Sequence, residues 1–150
     1  MNKNIQVSLE ISFILNATED EEKSVRCISE FIGTNKLSRV DVKGYYGNLM
    51  HIITMSITKN RAEVILGKIL NMISEEDMEN ILTSLEKSID KNGSLHLRID
   101  KQSILEGSLR LSDRDPLKMK IIPRLATPIS LNWPKWYRLR LAYLRKQYRD

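Results

Sequence analysis

Val7, Leu9, Ile11, Phe13 and Leu15 alternate with Gln6, Ser8, Glu10 and Ser12, and this two-residue period constrains the fold more than any other feature. Successive side chains of a strand point to opposite faces, so the run specifies a strand with one buried and one wet face. The period then changes. Thr18 and Glu21 form a capping-box pair, and Glu19, Asp20 and Glu22 stand where the positive end of a helix dipole favours acids. Val25, Ile28, Phe31 and Ile32 follow at helical spacing, with a stop expected near Gly33.

The switching continues along the chain. Val40 and Val42 predict a short strand, Gly44-Tyr45-Tyr46-Gly47-Asn48 a tight turn, and Ile53, Met55 and Ile57 the returning strand of a hairpin. Asn60 and Glu63 are expected to cap a second helix carrying Ala62, Ile65, Leu66, Ile69 and Leu70. Ser74 and Asp77 start a third, burying Met78, Ile81, Leu82, Leu85 and Ile89 as far as the turn Asp90-Lys91-Asn92-Gly93. Leu95, Leu97 and Ile99 then alternate with His96, Arg98 and Asp100. Leu109-Leu111 and Leu117, Met119 and Ile121 read as two more strands around a turn at Asp113-Arg114-Asp115-Pro116. Strands and helices in this order specify an α+β fold, a largely antiparallel sheet with helices packed on one face and the other face open. The domain is assigned to 1–123, a Pro-containing linker to 124–133, and a basic aromatic C-terminal helix to 134–150.

A chain of 150 residues, 41% apolar and 29% charged, buries enough surface to fold without metal or disulfide, and Cys27 alone excludes an internal disulfide framework. Met1 to Glu10 lacks a signal-peptide pattern and no apolar run reaches about 20 residues, so a cytoplasmic protein without membrane contact is expected.

Charge is distributed unevenly. Leu131 to Asp150 carries Lys135, Arg138, Arg140, Arg145, Lys146 and Arg149 against Asp150, which accounts for the whole net charge of +5. Trp133, Trp136, Tyr137, Tyr143 and Tyr148 lie among those cations. Rings between positive charges suit exposed bases as well as phosphates, so RNA is the expected partner. Arg138, Arg145 and Arg149 share one side of a helix opened by Pro134, as following a phosphate backbone requires. A docked helix burying Trp136, Leu139, Leu141, Tyr143 and Leu144 explains the same residues and is compatible with RNA contact by the outer face. A membrane-surface helix fits less well, because the apolar residues do not gather opposite the basic ones.

Three segments carry a resemblance: Ala17-Thr18-Glu19-Asp20-Glu21-Glu22-Lys23, Gly44-Tyr45-Tyr46-Gly47-Asn48, and Leu97-Arg98-Ile99-Asp100-Lys101-Gln102 with Gly107. In this order and spacing, from Ile5 to Ile122, the chain resembles the archaeal family of small RNA-binding proteins known as predicted exosome subunits. The resemblance implies an α+β fold similar to the 5S-RNA-binding large-subunit ribosomal protein, a tendency to form a homodimer, and a role in RNA metabolism beside exosome or other RNA-processing proteins. Leu49 departs from the family pattern, which commonly has proline there. The cationic tail lies beyond the matched region, so its role rests on composition.

Within the body, Gly44, Gly47 and Asn48 explain themselves as a turn, while Tyr45 and Tyr46 offer rings of which at most one need be buried. Asp100 suits a bond to the amides that follow, and Arg98, Lys101 and Gln102 form a candidate phosphate- or ribose-binding patch that Lys118 and Lys120 extend if their strands pair. Catalytic patterns are absent. His51 and His96 have no metal-ligand spacing, no Gly-x-x-x-x-Gly-Lys loop occurs, and Cys27 lacks a local partner, so no cofactor, metal or enzymatic activity is expected. Two alternatives stay open. One is a protein-interaction subunit whose tail docks on a partner. The other is a metal-dependent nuclease assembled from Asp41, Asp100, Glu106, Asp113 and Asp115 if they converge in space.

Overall fold

The computed structural model describes residues 5–16, 21–33, 36–44, 46–125 and 129–149. The alternating run becomes β1 (Gln6–Asn16), the central strand of a five-stranded antiparallel sheet ordered β2-β3-β1-β5-β4. β2 spans Leu37–Lys43, β3 Leu49–Ile57, β4 Leu95–Asp100 and β5 Pro116–Arg124. β1 pairs with β3 through Leu9↔Ile57 to Asn16↔Met50 and with β5 through Gln6↔Arg124 to Ser12↔Lys118. Its residues Val7, Leu9, Ile11, Phe13 and Leu15 are all buried, as the period requires.

Helices cover that buried face. They are α1 (Glu21–Ile32), α2 (Lys59–Met72), α3 (Glu75–Thr83), α4 (Leu85–Ser88), α5 (Lys101–Leu105) and α6 (Trp133–Gln147). α2 lies on β1, burying Ala62, Ile65, Leu66, Ile69 and Leu70, and α6 packs across α2. Thr18 of the expected capping box lies outside the described residues. Ser74 accepts from the Asp77 amide as the sequence implied.

Several local expectations are corrected. α2 is entered from Thr58 and not from an Asn60–Glu63 box; Asn60 accepts from Gln6 Nε2 at 3.1 Å and Glu63 turns to Arg140. The third helix breaks at Ser84, whose amide bonds back to Asn80 and Ile81, so its face is divided between α3 and α4. Leu109 and Leu111 form only isolated bridges, to Ile73 and Ile99. The segment keeps two backbone bonds to β4, Asp100 N–H to Arg110 O and Ser112 N–H to Arg98 O, and side chains take the remaining amides: Arg110 N–H bonds to Ser103 Oγ and Leu111 N–H to Asp77. Pro123 sits inside β5, where β4 has already ended its pairing at Leu95↔Ile121, so a missing N–H is tolerated.

Candidate nucleic-acid interface

α6 is held by its apolar and aromatic side. Asn132 caps it by accepting from the Lys135 amide, and Pro134 occupies the first turn, where no helical partner is lost. Tyr137, Leu141 and Leu144 are fully buried. Tyr137 Oη donates to Gly93 O at 2.6 Å, with Ile121 O at 3.3 Å, and burial raises its pKa well above the ordinary tyrosine range. Trp133, Trp136 and Tyr137 form an edge-on aromatic cluster. Trp133 rests on Gly93 and Tyr148 on Gly67, and a Cβ at either glycine would collide with the ring. Asn71 ties α2 to α6 by donating to Gly67 O and Arg145 O, both at 2.9 Å.

The docking face therefore differs from the expected one. Leu141 and Leu144 are buried and Trp136 half-buried, but Leu139 is 67% and Tyr143 52% exposed, and Tyr137 takes the central place.

Opposite this face the cations form a stripe. At 3.6 residues per turn Lys135, Arg138, Arg145 and Lys146 fall within an arc of about 100°, along roughly 16 Å of helix, and Arg149 follows just beyond the C-cap Tyr148. Arg145 is ion-paired with Glu75 at 2.7 Å, and this bond, with a weaker attraction from Arg149, holds the Glu75 carboxyl below its usual pKa range. Arg140 lies off the stripe, paired with Glu63 between α6 and α2, and its guanidinium stands 5.3 Å from the Tyr143 ring centroid. Lys135, Arg138, Lys146 and Arg149 are exposed and form no ion pair among the described residues. A shallow groove of about 280 Å³ runs beside the stripe, with Met78 and Leu82 of α3 on its far wall.

The body patch does not assemble as expected. Arg98 and Lys118 are register partners, as are His96 and Lys120, and all four point to the open face of the sheet. There they line a groove of about 880 Å³ that also holds Lys87. Acids share this groove: Asp113 lies 3.4 Å from Arg98, Asp90 is paired with His96, and Glu10 stands directly opposite Lys120. Gln102 is exposed on α5, but Lys101 is corrected from a surface donor to an interior one. It is 1% exposed, donating to Ile14 O at 2.7 Å and pairing with Asp115 at 2.9 Å. Ile14 lies beyond the end of the β1–β5 pairing at Ser12, and the ammonium satisfies a carbonyl there. Asp100 caps α5 by accepting from Gln102 N–H, the bond its position at the strand end implied.

Tyr46 is 91% exposed at the hairpin tip, and Tyr45 lies outside the described residues. The turn closes through Gly44 N–H to Asn48 O at 2.6 Å and Gly47 N–H to Gly44 O at 2.9 Å. The five acids considered for a divalent-ion site are each engaged by a basic side chain, two of them by the same one: Asp41 beside Arg39 and His51, Asp100 and Glu106 on Arg110, Asp113 on Arg98, Asp115 on Lys101. Among the described residues no cluster of three or more His, Cys, Asp or Glu side chains is placed to hold a metal, and no helix is long and apolar enough to cross a membrane.

Known proteins share this architecture. The crystal structure of protein AF2318 from Archaeoglobus fulgidus superposes with a TM-score of 0.75 at 30% identity, covering 90% of this chain and 99% of that one. The uncharacterized protein MJ0213 of Methanocaldococcus jannaschii is 30% identical over 119 residues, 73% of this chain and 78% of the relative. The RNA-binding protein PAB1135 of Pyrococcus abyssi is 26% identical over 129 residues, 77% of this chain and 83% of its own. A model of the protein family described as RNA binding matches residues 8–122. Since that match spans most of the sheet and the helices packed on it, the chain belongs to this RNA-binding family, and membership supports an RNA-binding role.

Proposed function

We propose that this protein is a non-catalytic RNA-binding protein that contacts the phosphate backbone mainly through α6 and accompanies RNA-processing or RNA-degrading proteins in the cytoplasm. The family match and the name of the Pyrococcus relative support RNA as the partner. The observation that carries the location is the α6 stripe, where Lys135, Arg138 and Lys146, with Arg149 just beyond the helix, are exposed and form no ion pair among the described residues, while the cations of the sheet groove stand among acids. Unshared cations on a rigid helix release counterions on meeting a polyanion, and compensated ones release fewer.

The second reading is a protein-interaction subunit, favoured by a row of apolar residues across the open sheet. Val40 is 56% and Ile14 39% exposed, with half-buried Ile52 between them in register. Salt separates the two. Fluorescence anisotropy with labelled RNA should give a log K against log salt slope of about −3 for single strands if the four cations meet phosphates. A flat response, or full affinity in the combined Arg138→Gln, Lys146→Gln and Arg149→Gln variant, would overturn the α6 reading. Magnesium-dependent cleavage of the same RNA would overturn the non-catalytic one.

A further inference from the structure

We infer that the α6 site takes single-stranded RNA, with Tyr143 as the ring on which a base stacks at the edge of the cation stripe. This rests on the reading of α6 as the RNA contact and adds which RNA it selects. Trp133, Trp136 and Tyr137 are engaged with one another and with the core, and Tyr148 is seated on Gly67. Tyr143 is the α6 ring that faces outward, 52% exposed, one turn beyond Leu139, which is 67% exposed. Lys146 lies three residues further on, so ring and ammonium are neighbours on the helix surface.

The ring is also braced. Arg140 stands over it at 5.3 Å and is itself ion-paired with Glu63 of α2, both side chains being mostly buried at 15% and 14% exposure. A ring supported on one side by an immobilised guanidinium has lost part of its rotamer freedom before any ligand arrives, which lowers the entropic cost of stacking on its other side. A cation stripe beside an exposed, braced ring is the arrangement that single-stranded nucleic acid requires, backbone on charge and base on π-face. In a duplex the bases are already stacked on one another, so Tyr143 would gain nothing there. Charge alone acts the other way: each phosphate neutralised releases more counterion from a duplex, about 0.9 against about 0.7 for a single strand. A single-strand preference at matched salt is therefore a signature of the ring.

The test uses the full chain, an oligoadenylate of about twelve nucleotides, within the span of known single-strand sites, and a perfect RNA duplex of the same length. Tyr143→Leu should weaken oligoadenylate binding about tenfold, the order expected for one base stack, and leave duplex binding within about twofold. Tyr143→Phe should restore single-strand binding, since it keeps the ring. Equal losses on both RNAs, or no loss on oligoadenylate, would overturn the stacking role. If the combined Arg138→Gln, Lys146→Gln and Arg149→Gln variant still binds both RNAs fully, it is the α6 site itself that fails. Binding of neither RNA by the unsubstituted chain would overturn both readings and return Leu139 and Tyr143 to a protein contact.

Discussion

Two surfaces of this molecule carry exposed cations, the outer side of α6 and the open face of the sheet, and they differ in what stands next to each charge. On the sheet Arg98 has Asp113, His96 has Asp90, and Lys120 faces Glu10 across the strand pair. On α6 the acids lie to the side, Glu63 engaging Arg140 and Glu75 engaging Arg145 with a weaker pull on Arg149, while Lys135, Arg138 and Lys146 form no ion pair among the described residues. A net positive charge becomes a binding surface only where it is uncompensated locally. The helix thus uses two of its arginines to hold its place and leaves the others exposed, whereas the sheet distributes both signs over a groove wide enough to accept a ligand.

The largest expected effect tests whether α6 is an arm or part of the body. Tyr137, Leu141 and Leu144 are wholly buried, and each such side chain contributes about 1.5–3 kcal/mol. Their joint loss approaches the whole stability of a domain, about 5–15 kcal/mol. A chain ending at Ser130 should therefore lose its cooperative thermal transition by circular dichroism. Retention of a native-like melt by that truncation would show that the sheet folds alone and that α6 is merely attached to it. For the same reason truncation cannot separate RNA contact from folding, and side-chain substitutions on the stripe can.

A smaller loss belongs to the sheet side. Lys101 is buried and Asp115 is half-exposed, so the two partners are not equivalent. Asp115→Asn should cost about 2–3 kcal/mol because it takes a counter-charge away from a buried ammonium, and Lys101→Met about 1 kcal/mol because the carboxylate left behind is already partly solvated. Asn tolerates the positive φ of 43° at that position, so backbone strain does not confuse the comparison. Urea denaturation of both variants would settle the order. Equal costs would mean that the bond from Lys101 to Ile14 O, and not the ion pair, does most of the holding. Neither change should alter RNA affinity.

How legible these features are in the sequence depends on how many constraints act at each residue. β1 has five alternating apolar positions, and Ser74 with Asp77 marks a cap, so both elements are readable. The pairing of Arg98 with Lys118 follows once two alternating strands are adjacent. α5 is one short turn with no period of its own, and Lys101 is buried only because β1 brings the Ile14 carbonyl across from 87 residues away, a contact no local pattern encodes. The phase of α6 is ambiguous because aromatic or aliphatic residues stand on nearly every side of it. One signal was available. Gly67 inside an otherwise helical pattern marks a close approach, and that approach is to Tyr148, which fixes which way the helix turns. Glu63, taken as a cap, is instead the acid that reserves Arg140, and only the packing of α2 on α6 reveals it.

For RNA affinity, the two surfaces predict opposite results from parallel substitutions. Neutralising Arg138, Lys146 and Arg149 removes three of the four exposed cations that form no ion pair, so the single-strand salt slope should shrink from about −3 to about −1. Neutralising Arg98, Lys118 and Lys120 should change it by less than about 1, because Glu10, Asp90 and Asp113 stay in the groove to repel phosphate. If the sheet variant shows the larger change, the family region between residues 8 and 122 holds the contact and α6 serves the fold alone.

The smallest effect isolates how α6 is latched. Tyr137 Oη bonds to Gly93 O inside the core, and desolvation holds its pKa above the ordinary value of 10.0. Below pH 10 both folded and unfolded chains keep the proton, and the hydroxyl contributes its full hydrogen bond, about 1 kcal/mol by comparison with Tyr137→Phe. Above that pH the unfolded chain ionises while the folded chain resists, so the unfolded state binds fewer protons and stability falls as pH rises. The Phe variant lacks this ionisation. Its stability should start lower and decline less steeply, so the two denaturation curves converge as the pH climbs past 10. Parallel curves would mean that the hydroxyl is already solvated in the native state and that α6 is held by Leu141, Leu144 and the tryptophans without a polar latch.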